Sequence, residues 1–430
     1  MTTHLSVHGA RMSRLTGVRA IMQDIRQTLA ASPNAPWVNL SPGNPVILPE
    51  VEAMWRAHTQ ALADSKEFGD VVCRYGESQG VPELLDAVVD LFNAKYGWGI
   101  TQENVLITSG SQSLLFAAAN CFCGQSTDGR LRKLLLPLSP DYTGYDGICL
   151  SEEALASVTP DIEIVGDHTF KYRVNFKELH IDDSVGAVMF SRPCNPSGNV
   201  IGAEEVTEIA VRAAKYGVPV FIDAAYGPPF PNLAFAQIEP FRGDNVVYCM
   251  SLSKAGLPGE RIGIAIGPGR ILDVMRAFLT NAVIHSSRFG QALAARAIRS
   301  GELVRVSNTV IGPYYRRKFE LVQRLLAQAM PDVDWYLHKF EGALFAWLWT
   351  KDLPVSDVAL YNEIKKERVF VVPGSFFFPA IDEAWQHKRE CIRISLTADD
   401  AEITKGIAAI ARVIARLYGE AGNPARTAAR

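Results

Sequence analysis

The stretch SLSKAGLPGER, residues 251–261, carries the residue pattern that decides the fold and the chemistry of this chain. It follows an apolar run, residues 246–250, which predicts a buried β-strand. After the strand come Ser251 and Ser253, then Lys254, a Gly/Pro turn and Arg261. An amine at the end of a buried strand can form a Schiff base with a carbonyl compound such as pyridoxal phosphate. The hydroxyls and the guanidinium can bind a phosphate. A lone lysine at a strand end is more often a surface charge, so the surrounding segments decide.

A second candidate residue is an aspartate at the end of another apolar run. In FIDAAY, residues 221–226, Asp223 follows a predicted strand over residues 218–222. An isolated aspartate in such a place is more often a helix cap or a turn residue. Beside a bound pyridoxal ring its carboxylate would favour the protonated pyridine nitrogen. Tyr226 would then be near enough to hydrogen-bond the phenolic oxygen of the ring.

A third segment, SRPCNPSGN at residues 191–199, follows the apolar run 185–190. Its prolines and glycine indicate a fixed turn. Asn195 lies between two prolines, so its backbone is restrained and its amide can be aimed at a ligand. Taken alone, the segment is explained more simply by turn formation, and for Arg192 we favour a structural role.

A fourth segment, SGSQ at residues 109–112, follows the predicted strand Val105–Thr108 and begins an apolar helix. A Gly-containing turn at a helix N-terminus, here Gly110 followed by Ser111 and Gln112, presents free N–H groups to a phosphate. Ser-Gly-Ser is also an ordinary helix cap. The segment matches neither a Walker loop nor a dinucleotide-binding fingerprint.

Outside these segments, residues 101–267 alternate short apolar runs with helical patterns. The predicted strands are nearly continuous in apolar residues, as is typical of strands buried on both faces; they are residues 105–108, 133–138, 185–190, 218–222, 246–250 and 261–266. A helix is predicted over residues 203–216. The sequence therefore predicts an α/β fold with a mainly parallel sheet, whose ligands bind beyond the carboxyl ends of the strands.

After residue 300 the pattern predicts a smaller α+β domain. The expected elements are helices over residues 302–330, 357–366 and 400–418, a strand pair within 333–349, and strands at 369–372 and 391–395. We therefore divide the chain into four parts. Residues 1–50 form an N-terminal arm and part of the small domain, 51–300 a large domain, 301–421 a small C-terminal domain, and 422–430 a loose tail.

Composition narrows the classes of function. The 430 residues carry a net charge of −3, with no basic field that would hold nucleic acid. No apolar stretch is long enough for a membrane span, and the N-terminus lacks the apolar core of a signal peptide. Seven cysteines do not suggest a disulfide framework, and the eight histidines show no metal-ligand spacing. We expect a cytoplasmic protein with no metal, membrane or nucleic-acid partner.

The four segments, in this order, resemble those of the fold-type-I pyridoxal-phosphate aminotransferases of class I and II. The motifs LSPGNP at residues 40–45, PLSPDY at 137–142, EGALF at 341–345 and the strand CIRIS at 391–395 extend the likeness to about residues 10–420. Residues 191–200, 223–231, 249–261 and 342–354 carry a closer likeness to the valine–pyruvate branch of the family. These motifs are highly specific for the cofactor and much less specific for the reaction.

The resemblance implies pyridoxal 5'-phosphate as cofactor and a role for each matching residue. Lys254 would form the Schiff base and move the α-proton of the substrate. The ring would be held by Asp223 at its nitrogen, by Asn195 and Tyr226 at its phenolic oxygen, and by Tyr142 stacked on its face. The phosphate would be held by the turn at Gly110 with Ser111, Gln112, Ser251, Ser253 and Arg261.

The resemblance also implies a homodimer with composite active sites. Tyr75 would reach the phosphate of the neighbouring subunit. Arg393, with Asn195 and the backbone of Gly43, would bind the α-carboxylate of the substrate. The substrates would be an amino acid of the valine or alanine type and a 2-oxo acid.

One stretch departs from what the resemblance implies. AVIHSSR, residues 282–288, stands where a smaller, Gly/Ala-rich segment is expected beside the active site of the neighbouring subunit. His285 and Arg288 add polar groups that a valine side chain does not need. Either they form a salt bridge at the subunit interface or a surface loop, or they bind a larger or anionic substrate.

A second function shares nearly all of these cofactor residues. A biosynthetic enzyme with the same cofactor could carry out β- or γ-elimination, replacement or C–C bond formation on an amino acid such as S-adenosylmethionine. A non-catalytic binding module is disfavoured because Lys254, Asp223 and Arg393 occur together.

Overall fold

The structure is a computed structural model, and it describes residues 4–14, 17–151 and 153–421. The predicted loose tail, residues 422–430, lies outside the described residues. The described chain forms two main sheets with helices packed around them.

The larger sheet has eight strands, most of them parallel. Seven follow one path in the order Val105–Thr108, Gly263–Ile266, Val246–Ser251, Val220–Asp223, Val185–Ser191, Leu131–Leu136 and Gly124–Gln125, and Leu155–Ser157 pairs with the sixth. Gly263–Ile266 is antiparallel to both neighbours, and Gly124–Gln125 is antiparallel to its one neighbour. All six predicted strands are confirmed to within two residues at each end. The α/β fold with a mainly parallel sheet is also confirmed.

Strand residues of this sheet alternate between two buried clusters, one on each face. Ile107 and Val188 belong to one cluster, whereas their neighbours Leu106 and Met189 belong to the other. Successive side chains of a strand point to opposite faces, so a sheet covered on both faces needs apolar residues at nearly every position. The covering helices include Pro82–Tyr96 and Ala203–Ala214 on the first face, and Ser111–Phe122 and Gly269–Val283 on the second.

The carboxyl ends of the strands bring the predicted site segments side by side. Ser191 is the register partner of Asp223, and Asp223 is the partner of Cys249, two residues before Ser251. Ser251 is in turn the partner of Gly263. The residues that leave these strands therefore meet at one edge of the sheet, as expected for a parallel α/β fold.

The second sheet has six strands and is built mainly by the C-terminal part of the chain. Its order is Val372–Pro373, Cys391–Ser395, Phe345–Thr350, Trp335–His338, Thr169–Arg173 and Asp161–Gly166. The predicted strand pair within residues 333–349 and the strand Cys391–Ser395 are confirmed. The predicted strand at 369–372 is split, because Val369–Phe370 pairs with Val38–Asn39 in a separate two-stranded sheet.

Residues 161–173 form a hairpin that joins this second sheet. The sequence analysis did not predict these strands, and it placed the segment among residues 51–300 of the large domain. The first strand, Asp161–Gly166, is mostly exposed, so it lacks the apolar run that indicates a buried strand. The domain boundaries stay a prediction. The hairpin does not follow them, because it joins the sheet that is built mainly by the C-terminal part of the chain.

The helices lie close to their predicted positions. Asp357–Lys366 is as predicted, and residues 302–330 form Glu302–Val306 and Gly312–Ala329 with a π-helical turn at Ser307–Ile311 between them. The remaining α-helices are Val7–Met12, Val18–Ala31, Pro49–Ala63, Phe68–Cys73, Arg288–Arg299 and Asp400–Glu420. Within the described ranges, no helix is both long and apolar enough to cross a membrane.

Candidate active site

A cavity of about 660 Å³ opens at the carboxyl ends of the parallel strands. It brings together residues from both ends of the chain and from the large sheet. The predicted site residues that line it are Gly43, Ser111, Gln112, Tyr142, Asn195, Asp223, Tyr226, Ser251, Ser253, Lys254, Arg261 and Arg393.

Lys254 follows the strand Val246–Ser251 in one turn of 3₁₀-helix. Its Nζ atom donates a hydrogen bond to the carbonyl oxygen of Gly43 at 2.6 Å. It also lies 5.9 Å from the centre of the Tyr226 ring. Gly43 is brought here because the preceding strand, Val38–Asn39, pairs with Val369–Phe370. The N-terminal arm thus closes one side of the cavity next to the amine.

The charge state of Lys254 suits a nucleophile. Burial, together with the positive charges of Arg393 and Arg261, lowers its pKa to about 8, although Asp223 acts in the opposite direction. A larger fraction of this amine than of an exposed lysine is therefore neutral near pH 7. The neutral amine is the form that attacks a carbonyl carbon.

Asp223 ends its strand as a buried carboxyl group that is 5% exposed. Its Oδ1 atom accepts the N–H of Ala225 at 3.1 Å, and its Oδ2 atom accepts the hydroxyl of Tyr145 at 3.2 Å. Burial raises the pKa of Asp223 to about 6, while these hydrogen bonds and the charge of Lys254 lower it. The carboxylate is ionised at neutral pH in a place that water hardly reaches. Such a group stabilises a cation placed against it.

The other end of the cavity is suited to an anion. The helix Ser111–Phe122 begins there, and its N-cap residue, Gly110, has no side chain that could cap the free N–H groups. Nη1 of Arg261 donates to Oγ of Ser253 at 3.0 Å, and Ser253 also accepts from Oγ of Ser251 at 3.0 Å. Gly110 has a positive φ of 82°, and a Cβ atom there would collide with the Arg261 guanidinium. The guanidinium, the hydroxyls and the helix N-terminus form a cradle for a phosphate.

Arg393 is a buried cation that has no acidic partner among the residues that the structure describes. It is 3% exposed, and Nη1 donates to Oδ1 of Asn195 at 3.0 Å while Nη2 donates to the carbonyl oxygen of Ser41 at 2.8 Å. Its Nε atom has no hydrogen-bond partner among the described residues. Burial lowers the pKa of Arg393 to about 10. A buried cation with only neutral partners is costly unless an anion binds to it.

Aromatic rings enclose the space between these charged groups. The ring of Tyr142 meets that of Tyr145 edge-on, with centres 5.4 Å apart. Tyr226 is 5% exposed, and burial raises the pKa of its hydroxyl far above the usual value. Burial also raises the pKa of the Tyr142 hydroxyl. The hydroxyls of Tyr142 and Tyr226 are therefore protonated at physiological pH and can act as hydrogen-bond donors.

Tyr75, His285 and Arg288 do not line this cavity, and they lie together elsewhere. The rings of Tyr75 and His285 meet edge-on, with centres 5.8 Å apart. Nη2 of Arg288 is 2.7 Å from Oδ2 of Asp70, and Nη1 donates to the backbone oxygen of Asp70 at 2.6 Å. Arg288 thus forms a salt bridge within its own subunit, and both alternatives for His285 and Arg288, an interface salt bridge or surface loop and a substrate contact, stay predictions. Tyr75 itself is 84% exposed.

Sequence reasoning missed Tyr145, which lies behind the cavity, and several residues that line it. Tyr145, which donates to Asp223, stands three residues after Tyr142, and only its place after an apolar strand could have indicated it. The helix Val18–Ala31 contributes Val18, Arg19 and Met22 to the lining. Its contribution depends on how the N-terminal arm folds over the cavity, which no local pattern indicates.

Comparisons with known proteins agree with this geometry. Residues 35–410 match the family model of aminotransferase class I and II. Over 415 residues the chain is 36% identical to valine–pyruvate aminotransferase of Escherichia coli (strain K12). The alignment covers 96% of this chain and 99% of that protein.

Solved structures give the same result. The crystal structure of valine–pyruvate aminotransferase from Salmonella typhimurium LT2 has a TM-score of 0.84 at 33% identity, covering 94% of this chain and 100% of that one. A provisionally named amino-acid aminotransferase from Psychrobacter arcticum 273-4 has a TM-score of 0.92 at 34% identity, covering 97% of this chain and 100% of that one.

The family model spans most of the chain, and the likeness to the valine–pyruvate branch expected from residues 191–200 and 342–354 is confirmed over nearly the full length. The protein is an enzyme that transfers an amino group between an amino acid and a 2-oxo acid. The chain belongs to the class I and II aminotransferases.

Proposed function

We propose that this aminotransferase uses pyridoxal phosphate and moves the amino group between valine or alanine and a 2-oxo acid such as pyruvate. The observation that carries the proposal is the meeting of Lys254, Asp223 and Arg393 in one cavity. The full-length similarity to valine–pyruvate aminotransferases supports the choice of substrates.

The phosphate end of the cavity fits the cofactor. Ser111 and Gln112 would supply backbone N–H groups from the helix N-terminus, and Arg261 would supply a paired cation. Ser251 and Ser253 would donate their hydroxyls, which bind each other in their present geometry. The tight approach of Gly110 to Arg261 leaves no space for a side chain there.

The ring end fits equally well. Asp223 would hold a proton on the pyridine nitrogen, because a buried carboxylate stabilises a cation placed against it. Tyr226 and Asn195 would donate to the phenolic oxygen, and Tyr142 would cover one face. When bound, pyridoxal phosphate supplies an electron sink that stabilises negative charge developing on the α-carbon of the amino acid.

Lys254 would act twice. Its amine would first attach the cofactor, and once an amino acid has displaced it, the same Nζ atom would move the proton of the α-carbon. The lowered pKa suits both tasks, since a base works best when its pKa lies near the working pH.

Arg393 would fix the substrate by its α-carboxylate. Its guanidinium is held by Asn195 and by the backbone of Ser41, and the Gly43 carbonyl lies beside the amine of Lys254. The planar fork of an arginine suits a carboxylate. A substrate held there would present its α-carbon toward Lys254.

We also propose a cytoplasmic homodimer in which Tyr75 reaches the phosphate of the neighbouring subunit. The exposure of Tyr75 on the surface supports a role outside its own subunit. Seven free cysteines, four of them buried, suit a reducing compartment. Light scattering at working concentration should give about twice the mass of one 47.1 kDa chain. A fully active monomer would contradict the dimer.

The direct test of the proposed substrates follows the nitrogen atom. The enzyme is incubated with nitrogen-15 valine, pyruvate and pyridoxal phosphate, and the products are identified by mass spectrometry. We expect nitrogen-15 alanine and the 2-oxo acid of valine in equal amounts, and neither with Lys254→Ala. If other amino acids tested in the same way donate their amino group and valine does not, the proposal that valine is the substrate is wrong. Ammonia or an elimination product in place of labelled alanine would favour the alternative chemistry.

A further inference from the structure

Asp141 is a buried carboxyl group next to the active site that none of the proposed roles uses. It precedes Tyr142 in the motif PLSPDY and is 2% exposed. A carboxylate so far from water is costly to bury unless hydrogen bonds satisfy it. Its partners therefore reveal what it does.

The carboxylate and the backbone N–H of Asp141 together join three chain segments. Its Oδ1 atom accepts the N–H of Tyr142 at 2.6 Å and the hydroxyl of Ser191, and lies 3.7 Å from the thiol of Cys194. Its Oδ2 atom accepts the N–H of Ser191 at 3.0 Å. In addition, the backbone N–H of Asp141 donates to the carbonyl oxygen of Phe377 at 2.9 Å.

Each of these segments carries a residue of the proposed site. Tyr142 lines the cavity and would cover the ring. Ser191 is the register partner of Asp223. Cys194 precedes Asn195, which accepts from Arg393, and the Phe377 ring lies 4.9 Å from the Arg393 guanidinium carbon. Asp141 thus connects the groups expected at the ring face, the ring nitrogen and the substrate carboxylate.

Only a carboxylate satisfies all of these donors. Both oxygens accept, and together they take two backbone N–H groups and one hydroxyl. An asparagine of the same shape has one accepting oxygen, so at least one buried N–H group would face an amide hydrogen instead. The segment that loses its partner would move.

We propose that Asp141 is a positioning residue: its carboxylate holds Tyr142 and the turn of Asn195 in the register that binds the cofactor ring and the substrate carboxylate. The inference rests on the proposed function, because those two residues matter only if pyridoxal phosphate binds in this cavity.

The test uses Asp141→Asn and a matched control, Glu390→Gln. Glu390 is also buried, at 5% exposure, and accepts from the Trp349 indole, the Asp352 backbone and the Gln386 amide, but it does not line the cavity. For each protein we would measure the dissociation constant of pyridoxal phosphate, the visible circular dichroism of the bound cofactor at saturation, and the unfolding midpoint without cofactor.

We expect both variants to lose a similar amount of stability. Only Asp141→Asn should raise the dissociation constant of pyridoxal phosphate and weaken the dichroic band. The expected rise is about tenfold, because one charge-assisted hydrogen bond is lost. The role of Asp141 would be overturned if Asp141→Asn kept the parental dissociation constant and the parental dichroic band. It would also be overturned if Glu390→Gln changed these two quantities as much as Asp141→Asn does.

If Asp141→Asn does not fold, Ser191→Ala takes its place, because it removes one donor and leaves the carboxylate. A raised dissociation constant and a weaker band would support the inference, and parental values would overturn it. A parent protein that binds no pyridoxal phosphate would contradict the proposed function. If the parent protein binds pyridoxal phosphate and Asp141→Asn or Ser191→Ala behaves like the parent, only the role of Asp141 is contradicted.

Discussion

Nη1 of Arg393 donates to Oδ1 of Asn195 at 3.0 Å, although the two residues are 198 positions apart in the chain. This contact joins the second sheet to the turn that follows a strand of the large sheet. The Nε atom of the same guanidinium is buried and has no hydrogen-bond partner in the described part of the chain. The arrangement holds the arginine in place and keeps donor capacity for a substrate anion.

Arg393→Ala should weaken amino-acid binding strongly. A charged hydrogen bond contributes about 1.5–3 kcal/mol, so losing a two-pronged carboxylate contact should lower kcat/KM by roughly a hundredfold or more. The absorbance of the bound cofactor should stay unchanged. Arg393→Lys should recover only part of the loss, since a point charge cannot replace the planar fork. Near-normal kcat/KM for Arg393→Ala across an amino-acid panel would make Arg393 a structural residue.

Asp223→Asn should separate stability from function. The pKa of Asp223 in the folded protein, about 6, lies above the ordinary value of 3.8 for an aspartate. The folded protein therefore keeps a proton that the unfolded chain releases, and stability that is full below pH 3.8 is lost as the pH rises to about 6. This difference in pKa corresponds to roughly 3 kcal/mol of unfolding free energy. The gain in stability of Asp223→Asn should be smaller, because the variant weakens the hydrogen bonds that Asp223 accepts.

Denaturant unfolding of the cofactor-free protein at pH 4 and pH 8 checks this expectation. Relative to the parent, Asp223→Asn should gain stability at pH 8 compared with pH 4, while its turnover with cofactor falls by orders of magnitude. The same stability difference from the parent at both pH values would show that Asp223 does not titrate as a buried carboxyl group. Parental turnover would show that it does not contact the ring.

The attachment of pyridoxal phosphate should depend on pH through Lys254. Its pKa of about 8 lies below the ordinary value of 10.5 for a lysine, so the fraction of neutral, reactive amine increases as the pH rises through 8. The initial rate of borohydride-trapped attachment to cofactor-free enzyme should rise up to about pH 8 and then level off. A rate still climbing tenfold per pH unit above pH 9 would show that the site does not lower this pKa.

Arg288→Ala should destabilise the protein without changing its choice of substrate. The guanidinium is engaged by Asp70, and the Arg288 side chain holds the pKa of that carboxyl below its usual value. The ratio of kcat/KM values for valine and for an acidic amino acid should match that of the parent. Asp70→Asn, which removes the other half of the pair, serves as the control and should lose similar stability. A changed ratio in Arg288→Ala alone would assign Arg288 to substrate binding.

Local sequence patterns predicted the parts of the site that follow buried strands. Asp223, Ser251 and the turn at Asn195 come directly after apolar runs, and parallel strands bring such residues to one edge of a sheet. The roles of these residues came from the resemblance to a family and not from spacing. Arg393 was found in the same way, and its burial with neutral partners supports that assignment.

Residues that depend on distant packing could not be predicted. The hairpin at residues 161–173 is stabilised by pairing with Trp335–His338, more than 160 residues away, and its first strand is too exposed to show an apolar run. Asp141 is significant only because Ser191 and Cys194 surround it in the fold. Tyr145 likewise matters through its contact with Asp223, a residue 78 positions away.

The central claim, that Lys254 carries pyridoxal phosphate in this cavity, is tested most directly by chemical trapping. The holoenzyme is reduced with borohydride and digested, and the peptide that carries the phosphopyridoxyl group is sequenced by mass spectrometry. We expect one modified peptide, containing residues 251–261, with the label on Lys254 and no label in Lys254→Ala. A label on another lysine, or no label in a protein saturated with pyridoxal phosphate, would contradict it.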